Sequence, residues 1–386
     1  MHPANGFWRL TLQIVLIGMT SGAASGRVAA QPSRLITLAK PTAELNEPFT
    51  SILSIRELSD GRVIISDSRD KVVQLADFRK QQVVKIGTAG AGPGEYKFPQ
   101  RLYSLKSDST LLHDIGNDRY LLILPNGKPG PTRPAVEVSG YRSELIGVDN
   151  IGRLYFKASP TAAAPGPTRV VLRYNAQTKQ LDSVATLMEP VGEMVMAHAL
   201  PGGMLRFATN MPYVPRDVAT VTTDGAVIVA RVNDYHIEWF GSKSPRMAGA
   251  PVAYTPIAIT AQERRTFMER QIRPGAIVSN ANPNAGRSAK TMKEVPEDPG
   301  MTWPANIPPF LDGALSVDGS NRVWVKRTVV FSDPSATYDV FDATARRVLT
   351  VKLPPKAKLV GFGRGFVYLV RIDEDDLQYL QRYAAP

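Results

Sequence analysis

The chain has 386 residues, 43% of them hydrophobic, no cysteine, and a formal net charge of +11. The lack of cysteine excludes a disulfide framework and a lipid-modified cysteine, so an exported form must rest on its core alone. Basic residues are scattered among acidic ones with no block of five or more, which argues against nucleic acid as partner and leaves a weak attraction to anionic surfaces.

In chain order, residues 1–30 read as a secretory signal. Arg9 precedes an apolar run over 10–19, too short to span a bilayer, and Val28-Ala29-Ala30 resembles a cleavage site. Taking Arg9 and Arg27 off +11 leaves +9 for the mature chain, residues 31–386. The next informative stretch holds four strand-length runs, 52–58, 63–66, 72–75 and 83–86. Asp60-Gly61 between the first two is a hairpin dipeptide, because glycine tolerates the positive φ that a tight turn needs. Four short strands in about 40 residues have the form of one propeller blade. A connector follows: Gly87, Gly90, Gly92-Pro93-Gly94-Glu95-Tyr96, then Phe98-Pro99. A phosphate loop is the other reading of such glycines, but no Gly-Lys-Ser/Thr and no helical pattern follows.

That connector resembles the one in NHL-repeat propellers, where a glycine-rich run ending in an aromatic and a proline carries the chain from one blade to the next. The resemblance, to the NHL-repeat and TolB-like six-bladed propellers of exported bacterial type, is specific over roughly 50 residues. It implies an all-β, six-bladed fold closed by an N-terminal strand. Relatives in this superfold include calcium-dependent lactonases and esterases, a lyase acting on peptidyl hydroxyglycine, and many non-catalytic binding proteins, so fold alone does not choose a function.

Further copies of the strand–turn–strand unit begin at 102, 145, 218, 315 and 359, which makes six in all. The last unit has about three strands of its own, and residues 34–40 are expected to supply the missing one beside 377–383, removing an open edge. Two stretches interrupt the repeat. Residues 188–216 could hold an extra hairpin of undecided blade membership. Residues 259–309 read as an insertion: Thr260 and Glu263 form a capping-box pattern ahead of a helix over 261–272, and a mobile loop follows over 280–293, with Trp303 and Phe310 as anchors.

Catalytic signals are sparse. His113, His198 and His236 lack metal-binding spacing, no Gly-x-Ser-x-Gly elbow occurs, and the 373–376 acidic run lacks a calcium-loop pattern. Glu57 and Glu144 are the carboxylates of the inner strands, fewer than a metal hydrolase needs. No cofactor or metal is therefore expected, with calcium reserved for the alternative of a metal-assisted hydrolase or lyase. The favoured expectation is an exported, periplasmic or extracellular, monomeric binding propeller. Its candidate ligand residues gather where second strands end and inner strands begin: Asp67, Arg69, Arg101, His113, Asp114, Lys157, Arg231, Lys326, Arg327 and Arg371. A ring of basic residues suits an anionic ligand or an acidic protein segment. The other reading is that these charges cap strand ends and pair with nearby aspartates, and that Asp67 anchors its own loop. If they bind, replacing Arg231 and Arg327 together by Gln is expected to weaken binding with little loss of stability.

Overall fold

In the first repeat unit the strands Ile52–Glu57, Val63–Asp67, Val72–Asp77 and Gln82–Lys85 pair antiparallel in that order. The second strand is buried along its whole length, whereas the outermost is largely exposed, the gradient expected when sheets pack face to face around an axis. The same arrangement recurs over 99–134, 141–187, 218–248, 315–352 and 358–384, giving six blades numbered here in that order. This computed structural model describes residues 33–386 apart from 161–168, 189–194, 200–204, 210–211, 242–244, 272–276, 280–288, 292–301 and 331–332. The leader 1–30 and most of the loop 280–293 lie outside the described residues. Among the described residues no helix is long and apolar enough to cross a membrane.

Each blade interface is an apolar layer. Leu58, Ile64, Leu75 and Ile86 of blade 1 pack with Leu102, Leu112 and Leu121 of blade 2. Burying such side chains contributes roughly 1.5–3 kcal/mol apiece, which replaces the disulfides the chain lacks. The glycine connector has a structural role. Gly87 sits at φ +68, and a Cβ there would lie 2.5 Å from the Gly94 carbonyl oxygen. Tyr96 is the wedge: its hydroxyl donates to the Ile86 carbonyl (2.8 Å) and accepts from the Val73 N–H (2.9 Å). The backbone groups are taken up internally as well. Glu95 accepts from Gly92 N–H, and Arg119 donates to the carbonyls of Ala91 and Glu95.

A second device closes the turns between first and second strands. Asp149 accepts from the N–H groups of Ile151 and Arg153, from Arg153 Nε (2.6 Å) and from the Tyr155 hydroxyl (3.1 Å). Asp318 repeats it with Ser320, Arg322 and Trp324 Nε1 (3.0 Å). The spacing Asp-x3-Arg-x-aromatic puts the arginine and the ring two residues apart, on the same face of the extended chain entering the second strand, so one carboxylate satisfies both.

Ring closure corrects one sequence expectation. The last blade is completed by Ala43–Glu44, antiparallel to Gln378–Ala384. Arg34–Thr37 instead adds a fifth, parallel strand to blade 5, in register with residues 349–352. The physical reason is anchoring: Leu45 and Phe49 are buried in the core between blades 6 and 1 and fix what precedes them, while Leu38 inserts into the core shared by blades 5 and 6.

Both interruptions sit in connections from an outermost strand to the next inner strand. The first contains a separate hairpin, Val195–Ala199 with Leu205–Thr209, which belongs to no blade. The second contains the helix Ala261–Gln271, whose Glu263 N–H is capped by the Thr260 hydroxyl. It also contains a short strand pair, Ile277–Ser279 with Ala289–Thr291, which replaces part of the loop expected there. Phe267 of the helix packs on Tyr213 and Trp303, so the two insertions share one small core with Ile259 and Ile307. Phe310, the other expected anchor, is fully buried between blades 4 and 5.

Candidate functional site

Second-strand ends and inner-strand beginnings meet on one face. The geometry that brings them together consumes several of the expected ligand residues. Asp67 is 1% exposed; one oxygen accepts from the N–H groups of Thr50 and Ser51, the other from those of Arg69 and Asp70. Asp114 does the same for blade 2, accepting from Lys97 and Phe98 N–H and from Asn117, with Arg119 alongside. Asp217 is the counterpart in blade 4, accepting from Val232 and Met188 N–H. A carboxylate holding this many donors is a clasp between the start of the first strand and the end of the second.

The arginines at these positions are directed outward, to the third strand or beyond. Arg231 lies between Asp217 (2.7 Å) and Glu238 (2.5 Å), and Arg246 binds the other Glu238 oxygen. Arg327 approaches Asp339 (3.7 Å) of the third strand. Arg371 binds Glu44 and lies 4.3 Å from the Tyr379 ring centre. Arg231 is therefore part of a partly buried network, so its replacement costs stability, in contrast to the sequence expectation for the Arg231/Arg327 pair. Arg69 and Arg101 are exposed.

Burial pushes the Glu238 carboxyl up, and the bonds from Arg231 and Arg246 outweigh it, holding it below its ordinary value of 4.5. Glu44, bonded by Arg371, and Asp108, beside Ser59 and Arg56, are held low as well. A carboxyl whose folded pKa is depressed contributes stability fully above its unfolded pKa and loses it as pH falls through the folded value. Thermal stability should therefore hold from pH 8 to about 5 and decline as pH falls below roughly 4.5. A melting temperature unchanged between pH 6 and 3 would contradict these pairings.

Closer to the axis, the structure assembles a cluster that the repeat pattern did not reveal. Lys157 faces Glu144 across the first two strands of blade 3 (2.9 Å) and also reaches Asp312, which leads into blade 5 (3.2 Å). Arg216, leading into blade 4, approaches the same carboxylate at 3.7 Å. Three successive blades are thus tied at the channel mouth. Against the upward push of burial, Lys157 and then Arg216 hold the Asp312 carboxyl below its ordinary range. In sequence Asp312-Gly313 carries no signal beyond that of a turn.

Across the mouth, Lys358 opens the inner strand of blade 6 and Lys326 closes the second strand of blade 5. Lys358 Nζ donates to the Ile52 carbonyl (3.3 Å), and burial followed by repulsion from Lys326 lowers its pKa. Among the described residues neither ammonium has a carboxylate partner. His113 is set apart, in a cleft between blades 2 and 3 with Asp118, Tyr120 and Tyr141. Of the inner-strand carboxylates, Glu57 binds the Tyr368 hydroxyl (2.5 Å) and Arg364 N–H, while Glu144 binds Lys157; they do not converge. Among the described residues no group of three His, Asp or Glu side chains is placed to hold a metal ion.

No protein-family model matches the sequence, and no curated protein matches it. The fold class comes from the blades themselves: it is a six-bladed β-propeller. Among solved structures, the chain is similar to a Bacteroides fragilis protein assigned as exported, at 12% identity over 91% of this chain and 99% of that one, TM-score 0.49. It is similar to regucalcin of Agrobacterium tumefaciens, a calcium-binding protein, at 9% identity over 92% and 97% with a TM-score of 0.41. Virginiamycin B lyase of Staphylococcus aureus gives 9% identity over 90% and 99%, also at 0.41. Likenesses of this order say nothing about activity.

Proposed function

We propose that the protein is an exported, NHL-like binding propeller whose channel mouth takes an anionic group, a carboxylate or phosphate, between Lys326 and Lys358. One observation carries this reading: among the described residues neither Lys326 nor Lys358 has a carboxylate partner, Lys358 Nζ donating only to the Ile52 carbonyl, and an anion between them would offset the repulsion that helps lower the Lys358 pKa. Arg101, exposed at the start of the blade 2 inner strand, adds positive charge to the same face. Export rests on the signal-like residues 1–30.

The test is calorimetric titration of the mature protein with citrate and with inorganic phosphate at low ionic strength. Affinity should fall as sodium chloride is added, because screening sets in over about 10 Å at 0.1 M salt. The double variant K326Q/K358Q should bind citrate roughly tenfold more weakly, a loss of about 1.4 kcal/mol, with an unchanged melting temperature. Equal citrate affinity in the variant would remove the site.

A further inference from the structure

The cleft that holds His113 has the opposite character from the mouth. It occupies about 510 Å³ between blades 2 and 3, within the range of small-molecule sites. Its floor is aromatic: Tyr120 and Phe156 are each 2% exposed, and Tyr141 stands beside them. Tyr120 is fixed in place by a hydrogen bond with the Val136 backbone, and the His113 ring packs on it at 5.2 Å. Its rim carries two exposed carboxylates, Asp118 and Glu137, on the segments that leave the second strand and the outermost strand of blade 2. Burial holds His113 below its ordinary pKa, against the pull of Asp118 and Asp114, so the imidazole is neutral at pH 7 and the two carboxylates set the charge of the cleft.

We infer that the blade 2–blade 3 cleft is a binding site for a small organic cation, a primary amine carried on an apolar or aromatic body. Ile115, which is 53% exposed, and Tyr141 would cover the body above the buried aromatic floor, and Asp118 and Glu137 would receive the ammonium. The net positive charge of the chain disfavours amines at long range, so the two rim carboxylates would supply the local attraction. It is independent of the anion site at the mouth, and the two should be separable by mutation.

The experiment uses tryptamine as the amine probe and indole-3-propionate as its anionic counterpart, titrated into the mature protein at low salt. Tryptamine should bind at least tenfold more tightly than indole-3-propionate. The double variant D118N/E137Q keeps the shape of the cleft; Asp118 sits at φ +47, a conformation asparagine tolerates. It should lose about tenfold in tryptamine affinity, keep its melting temperature, and bind citrate as the parent does. Two results would overturn the inference: the two indoles binding alike, or tryptamine binding unchanged in D118N/E137Q.

Discussion

A chain that begins at Asn46 should fail to unfold cooperatively and should self-associate, whereas one that begins at Leu38 should melt within a few degrees of the full-length mature protein. The contrast follows from what each segment buries. Arg34, Leu35 and Thr37 are exposed, with Leu35 at 64%, so the parallel strand on blade 5 is held mainly by its backbone. Residues 38–45 carry far more. Leu38 and Leu45 are 7% and 1% exposed, Thr42 and Leu45 N–H groups bond to the carbonyls of Arg382 and Leu380, and Glu44 binds both Arg371 and Gln381. Two buried leucines at about 1.5–3 kcal/mol each already approach the 5–15 kcal/mol that a domain has in total. Their loss also bares the edge of Gln378–Ala384, and an unpaired edge recruits other chains. Calorimetry and size-exclusion chromatography on the two truncations read this directly. A cooperative, monomeric chain starting at Asn46 would show that blade 6 does not need the strand.

Asp339→Ala should be among the most damaging single changes, costing roughly 3–5 kcal/mol as expected for one partner lost from a buried charged network. Asp339 is fully buried on the third strand of blade 5 and accepts from the Tyr235 hydroxyl of blade 4 (2.7 Å) and from Thr350 (3.0 Å). Arg347 and Arg327 approach it at 3.5 and 3.7 Å. Removing it strands two guanidiniums and a buried hydroxyl with no acceptor. Burial, then the Asp339 charge, hold the Tyr235 hydroxyl protonated well beyond neutral pH, so it acts as the donor of that bond. Tyr235→Phe should cost only about 1–2 kcal/mol, because it leaves the arginine pairs intact. The double variant should be less destabilised than the sum of the two, since both remove the same bond. Denaturant melts of the three variants check this. Full additivity would mean that the Tyr235–Asp339 bond does not join blades 4 and 5.

Local chemistry made the blades legible in the sequence. Turn dipeptides such as Asp60-Gly61 and strand-length apolar runs act over a few residues, so the six repeats and the helix at 261–271 could be read without tertiary information. The alternative reading of Asp67 as a loop anchor was available for the same reason, because the Arg69 and Asp70 N–H groups that donate to it lie within a hairpin's reach. Closure was half legible. A missing strand can be counted, but whether 34–37 or 43–44 fills it depends on where Leu38, Leu45 and Phe49 find their pockets, and those pockets are walled in part by blades 5 and 6 at the far end of the chain. The charged residues show the same division most sharply. Sequence position put Arg231, Arg327, Arg371, Lys326 and His113 at equivalent ends of second strands. Which of them are neutralised was decided by the carboxylates that the third strands, the closing strand and the lead-in segments bring up: Glu238, Asp339, Glu44 and Asp217. Lys326 and Lys358 are left facing each other because no such carboxylate reaches them among the described residues. A charge at a strand end is fixed by the local code, whereas its partner is fixed by packing between strands distant in sequence.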